Sequence, residues 1–296
     1  MRFETRGEKI FYVINYILLT LFALTTLLPF MNLLAKSMSS NSEVISGAVT
    51  IYPKGFQMDA YKYVLKQGQF VNSFKVSIFV TIVGTFISMI MTVMTSYPLS
   101  KPHLKGRKFF LMLYIFAMLF GGGMVPTYLL VKSLNLINTV WSLILPGMIS
   151  IFNMLIVKNY FEGLPESIEE SAKIDGASDT TVLFRIVLPM ALPVLATVSL
   201  FYAVGYWNNY MSAILYITKP NLKPLQQYLY DMIANAEAIR EGIGGTGNID
   251  PDQAMNLTTA TITATTIIVS TVPILCVYPF LQKYFVKGIT IGSVKG

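Results

Sequence analysis

Glu170-Ser171-Ala172-Lys173-Ile174-Asp175-Gly176-Ala177, with nine residues between Gly176 and the following Ile186-Val187-Leu188-Pro189, decides how this chain is read. The segment is compact and charged, yet strongly apolar stretches flank it on both sides. Pro165 suits the first turn of a helix, where no N–H is needed. Glu166, Glu169 and Glu170 favour the positive end of that helix, which is expected to run to about Asp175. Gly176 supplies the permissive backbone of a sharp turn. Ser178 or Asp179 can cap a second helix leading through Phe184 and Ile186 towards Pro189. Ser171, Ala172 and Ala177 are small, so another backbone can approach closely. From these residues alone two readings stand: a handle that docks onto a partner, or an ordinary polar loop with a glycine turn.

Composition places the segment in a membrane protein. The chain has 296 residues, 54% hydrophobic and 12% charged. Soluble domains are about 25% charged, so this chain cannot cover a water-facing surface in the usual way. One cysteine, Cys276, excludes a disulfide framework and a cysteine-rich metal site. One histidine, His103, leaves little for histidine catalysis or metal binding, and it reads as an exposed residue in a basic turn. The net charge of +7 does not point to nucleic acid, because basic residues beside apolar spans are what topology requires.

About 20 apolar residues cross a hydrocarbon core as a helix. Six stretches qualify: about 10–35, 74–97, 109–131, 140–157, 190–217 and 257–280. The first is too long for an ordinary cleaved signal peptide and reads as a retained anchor. Gly121-Gly122-Gly123 inside the third predicts a broken or bent helix rather than a phosphate cradle, since no lysine follows. Pro189 and Pro193 near the fifth span, and Pro273 and Pro279 in the sixth, predict kinks. Arg2, Arg6 and Lys9 precede span one, Lys101, Lys105, Arg107 and Lys108 crowd the second connection, and Lys283, Lys287 and Lys295 follow span six. This places both termini and the Glu170 segment in the cytoplasm. A short helix over 225–240 is expected outside, followed by an irregular loop with Gly242, Gly244, Gly245, Gly247 and Asp250-Pro251-Asp252. Asp231, Glu237, Asp250 and Asp252 read as a solvated loop rather than an enzymatic site.

No Asp, Glu, Arg or His lies inside the six spans, and Lys75 sits at an edge. Ionisable groups in the membrane usually mark proton relays, so a proton-driven transporter is disfavoured. There is no G-x-x-x-x-G-K-[ST] loop. Uphill transport would draw its energy from another subunit. The rival is a stand-alone secondary transporter or channel, which leaves the handle unexplained.

The segment resembles the EAA loop of permease subunits from binding-protein-dependent ABC importers. That pattern is E-A-A, three residues, G, nine residues, I-x-L-P. Glu170, Ser171, Ala172, Gly176, Ile186, Leu188 and Pro189 fill it with correct spacing, and Ser171 for the first alanine is the one departure. The resemblance covers nearly the whole chain. Asn72-Ser73 before span two looks like the family's entry to its core domain, and Gly122-Gly123-Met124-Val125-Pro126-Thr127-Tyr128, Leu134-Asn135-Leu136-Ile137-Asn138-Thr139 and Trp207-Asn208-Asn209-Tyr210 look like the carbohydrate-uptake branch. The ending from Phe285 through Gly296 resembles its maltose-permease-like half. Within that branch the chain is most similar to permeases of alginate- or rhamnogalacturonan-type oligosaccharides.

The resemblance implies an all-α integral membrane fold: one permease domain over 1–296, with six transmembrane helices and a cytoplasmic coupling loop at 158–189. It implies residence in a bacterial cell membrane, no chemistry or cofactor of the chain's own, and no bound metal. The implied partners are a second permease, two cytoplasmic ATP-binding subunits, an extracytoplasmic solute-binding protein and an oligosaccharide. Glu170, Ser171, Ala172, Asp175, Gly176, Ala177, Ile186, Leu188 and Pro189 are the implied coupling residues.

Span five carries Tyr202, Tyr206, Trp207, Asn208, Asn209 and Tyr210. Aromatic rings stack on sugar faces and amides bond hydroxyl edges, so these are candidate pathway residues. The alternative is that the amides join helices and the aromatics form an interfacial belt. Span six holds Thr258, Thr259, Thr261, Thr263, Thr265, Thr266 and Thr271. Their hydroxyls can bond back one turn and suit helix packing, or can line a polar path.

Overall fold

The protein is described by a computed structural model over residues 6–240 and 258–293, with side chains over 7–234 and 258–276. Among these residues all regular structure is helical: α1 (Arg6–Ser37), α2 (Asn41–Ile45), α3 (Asp59–Lys66), α4 (Gly68–Ser100), α5 (Arg107–Leu119), α6 (Met124–Ser133), α7 (Trp141–Ile144), α8 (Ile151–Glu162), α9 (Glu166–Ile174), α10 (Asp179–Val182), α11 (Leu188–Met190), α12 (Leu192–Trp207), α13 (Met211–Tyr216), α14 (Leu225–Arg240) and α15 (Thr259–Ser293).

Among the described residues three single helices are long and apolar enough to cross a membrane: Gly7–Ser37, Gly68–Ser100 and Thr259–Cys276. Three bent pairs pass the same test jointly, giving up to six spans. Arg107–Leu119 and Met124–Ser133 meet at 112°, Trp141–Gly147 and Ile151–Glu162 at 50°, and Asp179–Met190 and Leu192–Trp207 at 82°. Each bend has a local cause. Gly121, Gly122 and Gly123 leave the helix, and Gly123 adopts φ +84°. Pro146 and Gly147 tighten the second pair into a 3-10 turn, after which the Ser150 hydroxyl caps α8. In the third pair Pro193 has no N–H for the carbonyl of Pro189, and the chain turns at Ala191. By contrast α15 continues through Pro273 and Pro279 without a break in its helix.

The chain divides into two compact units. One comprises Met1–Phe70 and Asp231–Val272. Its α1 is apolar on every side, and none of its spanning window is buried among the described residues. Near the C-terminal end of α1, Ala35 joins Val44 and Val49 in a small core. The Asn32 amide donates to the Thr50 carbonyl at 2.6 Å, and the Lys54 N–H donates to the Ser39 hydroxyl at 3.0 Å. Asn41 Oδ1 accepts from the Thr258 N–H at 3.1 Å. The threonines of α15 bond mostly backwards: Thr265 to the Thr261 carbonyl, Thr266 to Ile262 and Thr271 to Ile267, each at 2.8 Å. With their hydroxyls satisfied inside the helix, Thr265 and Thr266 are buried as small packing residues, and the buried Thr261 hydroxyl donates to Asn41 Oδ1 at 3.3 Å.

The other unit comprises Val71–Tyr230 and Pro273–Gly296. Ile144, Val157, Val182, Val187 and Val198 are its fully buried centre, drawn from α7, α8, α10, α12 and the turn between α10 and α11. Asn138 closes the turn before α7. It adopts φ +59°, and its Oδ1 accepts from the Thr218 N–H at 2.7 Å, the Thr218 hydroxyl at 3.0 Å and the Lys219 N–H at 3.1 Å. That clamp fixes the end of α13. The helix expected at 225–240 is α14, and its bounds agree. The glycine-rich loop after it, with Asp250 and Asp252, lies outside the described residues, as does the side chain of Glu237.

Candidate functional site

Two features stand out, and α4 reaches both. The first is an open cavity of about 640 Å³ between α7, α8, α12 and α13. Tyr202 and Tyr206, one helical turn apart on α12, form its wall and are themselves buried. Each ring is pinned by its hydroxyl. Tyr202 Oη lies 2.7 Å from the Thr92 hydroxyl and accepts the Ser150 N–H at 2.9 Å. Tyr206 Oη lies 2.8 Å from the Ser88 hydroxyl and donates to the Ile144 carbonyl at 3.2 Å. These bonds join α12 to α4 and to the start of α8.

The six span-five candidates separate here. Tyr202, Tyr206 and Asn209 line the cavity. Asn209 Oδ1 also accepts the Ser212 N–H at 3.2 Å, where α13 begins. Trp207 is buried edge-on against Phe74, centroids 6.1 Å apart, and its indole N–H has no protein partner. Asn208 is exposed and away from the cavity lining. Tyr210 is exposed and stacks on Tyr230 at 5.9 Å. The helix ends at Trp207 and resumes at Met211, so residues 208–210 lie between two helices. Sequence reasoning missed the rest of the lining, including Thr127, Ser150, Phe152, Asn153, Phe201 and Ser212. None of the lining residues is charged. Phe152 is exposed, at 61%, and Phe201 at 37%, so both offer ring surface.

The second feature is the polar segment. Pro165 stands one position before α9, at its N-cap, and α9 ends at Ile174. Gly176 adopts φ +85°. The Gly176 N–H donates to the Lys173 carbonyl at 3.0 Å and the Ala177 N–H to the Ala172 carbonyl at 2.9 Å, the paired bonds of a Schellman turn. Ser178 caps the next helix, accepting the Thr181 N–H at 3.3 Å. Lys173 reaches over the turn to Asp179 at 2.8 Å. That hydrogen bond raises the Lys173 pKa above its ordinary value. From Leu183 to Val187 the chain widens into a π turn before Pro189.

The segment has two faces. Ala172, Ala177 and Leu188 are half-buried and pack on the core, and Ile186 is half-buried. Glu170, Ser171, Asp175, Gly176 and Pro189 are exposed, beside Ile174 at 86% exposure. Glu169 points the other way. It pairs with Lys101, just after α4, and Lys101 lies 4.5 Å above the Tyr97 ring. Arg107 pairs with Glu162 and donates to the Leu99 carbonyl at 2.8 Å. Glu162 also accepts from Lys158, at 2.7 Å. The available signal for the α4 partners was a four-residue repeat of small residues: Gly84, Ser88, Thr92, Ser96.

Comparison with known proteins agrees with this architecture. Residues 1–291 match the family described as binding-protein-dependent transport system inner membrane component. The chain is 46% identical to protein LplC of Bacillus subtilis (strain 168) over 294 residues, 99% of this chain and 97% of the relative. It is 44% identical to the polygalacturonan/rhamnogalacturonan transport system permease protein YtcP of the same organism over 291 residues, 98% of this chain and 99% of the relative. In structure it is similar to a bacterial ABC transporter involved in the import of the acidic polysaccharide alginate. The TM-score is 0.88 at 33% identity, covering 96% of this chain and 100% of that one. This chain therefore belongs to the family of inner membrane permease components of binding-protein-dependent transport systems.

Proposed function

We propose that this chain is one of two permease subunits of an ATP-driven importer for an oligosaccharide. It forms half of the translocation pore, and the cavity walled by Tyr202 and Tyr206, with Asn209 at its edge, belongs to the sugar's path. Rings and amides without charge suit the faces and hydroxyl edges of a pyranose. Trp207, Asn208 and Tyr210 shape that region from outside the cavity.

Of the two ATP-binding subunits of the complex, one seats on the exposed face of 158–189, where Glu170, Ser171, Asp175 and Gly176 stand, while Ala172, Ala177, Ile186, Leu188 and Pro189 set its shape. Both termini and this segment lie in the cytoplasm, and a solute-binding protein delivers the sugar from outside. The chain supplies no covalent chemistry.

The observation that carries this reading is the near full-length likeness to a permease named for polygalacturonan and rhamnogalacturonan transport. The test is purification of the chain in mild detergent, with mass-spectrometric identification of its companions. An ATP-binding subunit and a second permease are expected. The chain alone, folded and self-associated, would return the stand-alone transporter to first place and leave the Glu170 segment an ordinary loop.

A further inference from the structure

The coupling segment is joined to the cavity wall by a continuous path within this chain. We propose that Lys101 is the positioning residue of that path. It holds Glu169 of the segment to the end of α4, and α4 passes the segment's movement to Tyr202 and Tyr206 through Thr92 and Ser88. The proposal rests on the coupling role given above to the segment.

The joint is built unlike the ion pair across the segment's own turn. Lys173–Asp179 is solvent-exposed and closes only the segment's own turn. Lys101 and Glu169 keep 18% and 14% of their side-chain surface and bridge two elements 68 positions apart. A pair this far out of water is screened little by salt, and removing one partner strands the other charge. Arg107 braces the same end of α4 through the Leu99 carbonyl. The segment therefore cannot move without pulling on α4 or breaking this joint.

α4 is fitted to carry that pull. It runs unbroken over 33 residues. One face carries Gly84, Ser88, Thr92 and Ser96, four residues apart, so neighbouring helices approach closely. The Ser96 hydroxyl donates to the Met154 carbonyl at 2.9 Å, and both Thr92 and Ser88 hold a cavity tyrosine by its hydroxyl. From Ser88 to Lys101 the helical rise spans about 20 Å. A shift at one end moves the tyrosine anchors at the other, because helix and bonds form one packed body.

The test reads the cavity directly and needs no sugar. In the purified complex, with Cys276→Ser to remove the native thiol, Ser212→Cys reports cavity access through its rate of reaction with a charged maleimide. ATP with vanadate is expected to change that rate about fivefold or more. Lys101→Ala is expected to abolish the change while ATP hydrolysis continues, and the exchange K101E/E169K to restore it. The exchange also keeps the test open if Lys101→Ala fails to assemble. A Lys101→Ala complex that keeps the full change overturns the proposal, as does an assembled exchange variant that does not respond. If ATP and vanadate change nothing even with Lys101 intact, the coupling role of the segment fails, and the joint with it.

Discussion

The ring of Tyr206 occupies the space that a side chain on Gly84 would need: an ideal β-carbon there falls 2.8 Å from Cζ and 2.9 Å from Cε2. The ring cannot simply swing away, because its hydroxyl is held between Ser88 and Ile144. Gly84→Val should therefore force α4 and α12 apart and destabilise the protein by about 1–3 kcal/mol, as overpacking does. Thermal unfolding in detergent measures this. Adding Tyr206→Ala should recover part of the loss, whereas additive losses would show that the two residues do not oppose each other.

Tyr202→Phe removes one oxygen that serves two partners, Thr92 and the Ser150 N–H. The stranded backbone donor at the start of α8 is the costly part, about 1–3 kcal/mol. A lower melting temperature is expected, together with faster amide exchange at residues 150–153. Unchanged exchange there would mean that Tyr202 does not hold the start of α8.

Asn138 combines a left-handed backbone with an acceptor for three donors. Substitutions separate the two roles. Asn138→Asp keeps the acceptor and should be mildest. Asn138→Gly keeps the conformation but loses the acceptor, and Asn138→Ala loses both. Measured unfolding free energies should fall in that order, with a spread of about 2 kcal/mol between the ends.

At Gly176 nothing lies within 4 Å of an added β-carbon, so bulk is tolerated and only φ +85° is restrictive. Gly176→Val should cost about 1–2 kcal/mol locally by unwinding the Schellman turn. Membrane insertion should persist while ATP-binding subunits no longer co-purify and uptake is lost. Gly176→Asn should retain them, because asparagine accepts this conformation. Full uptake by Gly176→Val would remove the coupling role from the segment.

Lys173→Met offers a contrast. Its pair with Asp179 leaves both side chains largely in solvent. Such pairs contribute less than about 1 kcal/mol, so the melting temperature should barely move. A large drop would mean that the pair is shielded in the assembled complex.

Local features were legible in the sequence. Gly121-Gly122-Gly123 break a span, Gly176 ends α9 and the 225–240 helix stands, because glycine, capping residues and apolar periodicity act over a few residues. Features set by distant partners were not legible. Lys101 reads as a topology charge in the sequence, but Glu169, 68 positions away, claims it. Tyr202 and Tyr206 read as wall residues, yet nothing in span five announces Thr92 and Ser88, 110 and 118 positions earlier. The 190–217 stretch reads as one apolar span, whereas its helix ends at Trp207 and re-forms at Met211. Hydrophobicity measures only how apolar a stretch is and does not register that Asn208 and Asn209 interrupt it. Asn135 and Asn138 were noticeable only by resemblance. Their reason is conformational, since both take positive φ.

The first helix, α1, buries none of its spanning window among the described residues. Lipid tails are as apolar as leucine, so lipid distinguishes little between one order of apolar residues and another. As far as this chain is concerned, the information in residues 10–30 is compositional, and a shuffled copy would carry the same message. Any penalty for shuffling must then be imposed by a neighbouring chain, and the positions that refuse to be shuffled would trace that neighbour's footprint.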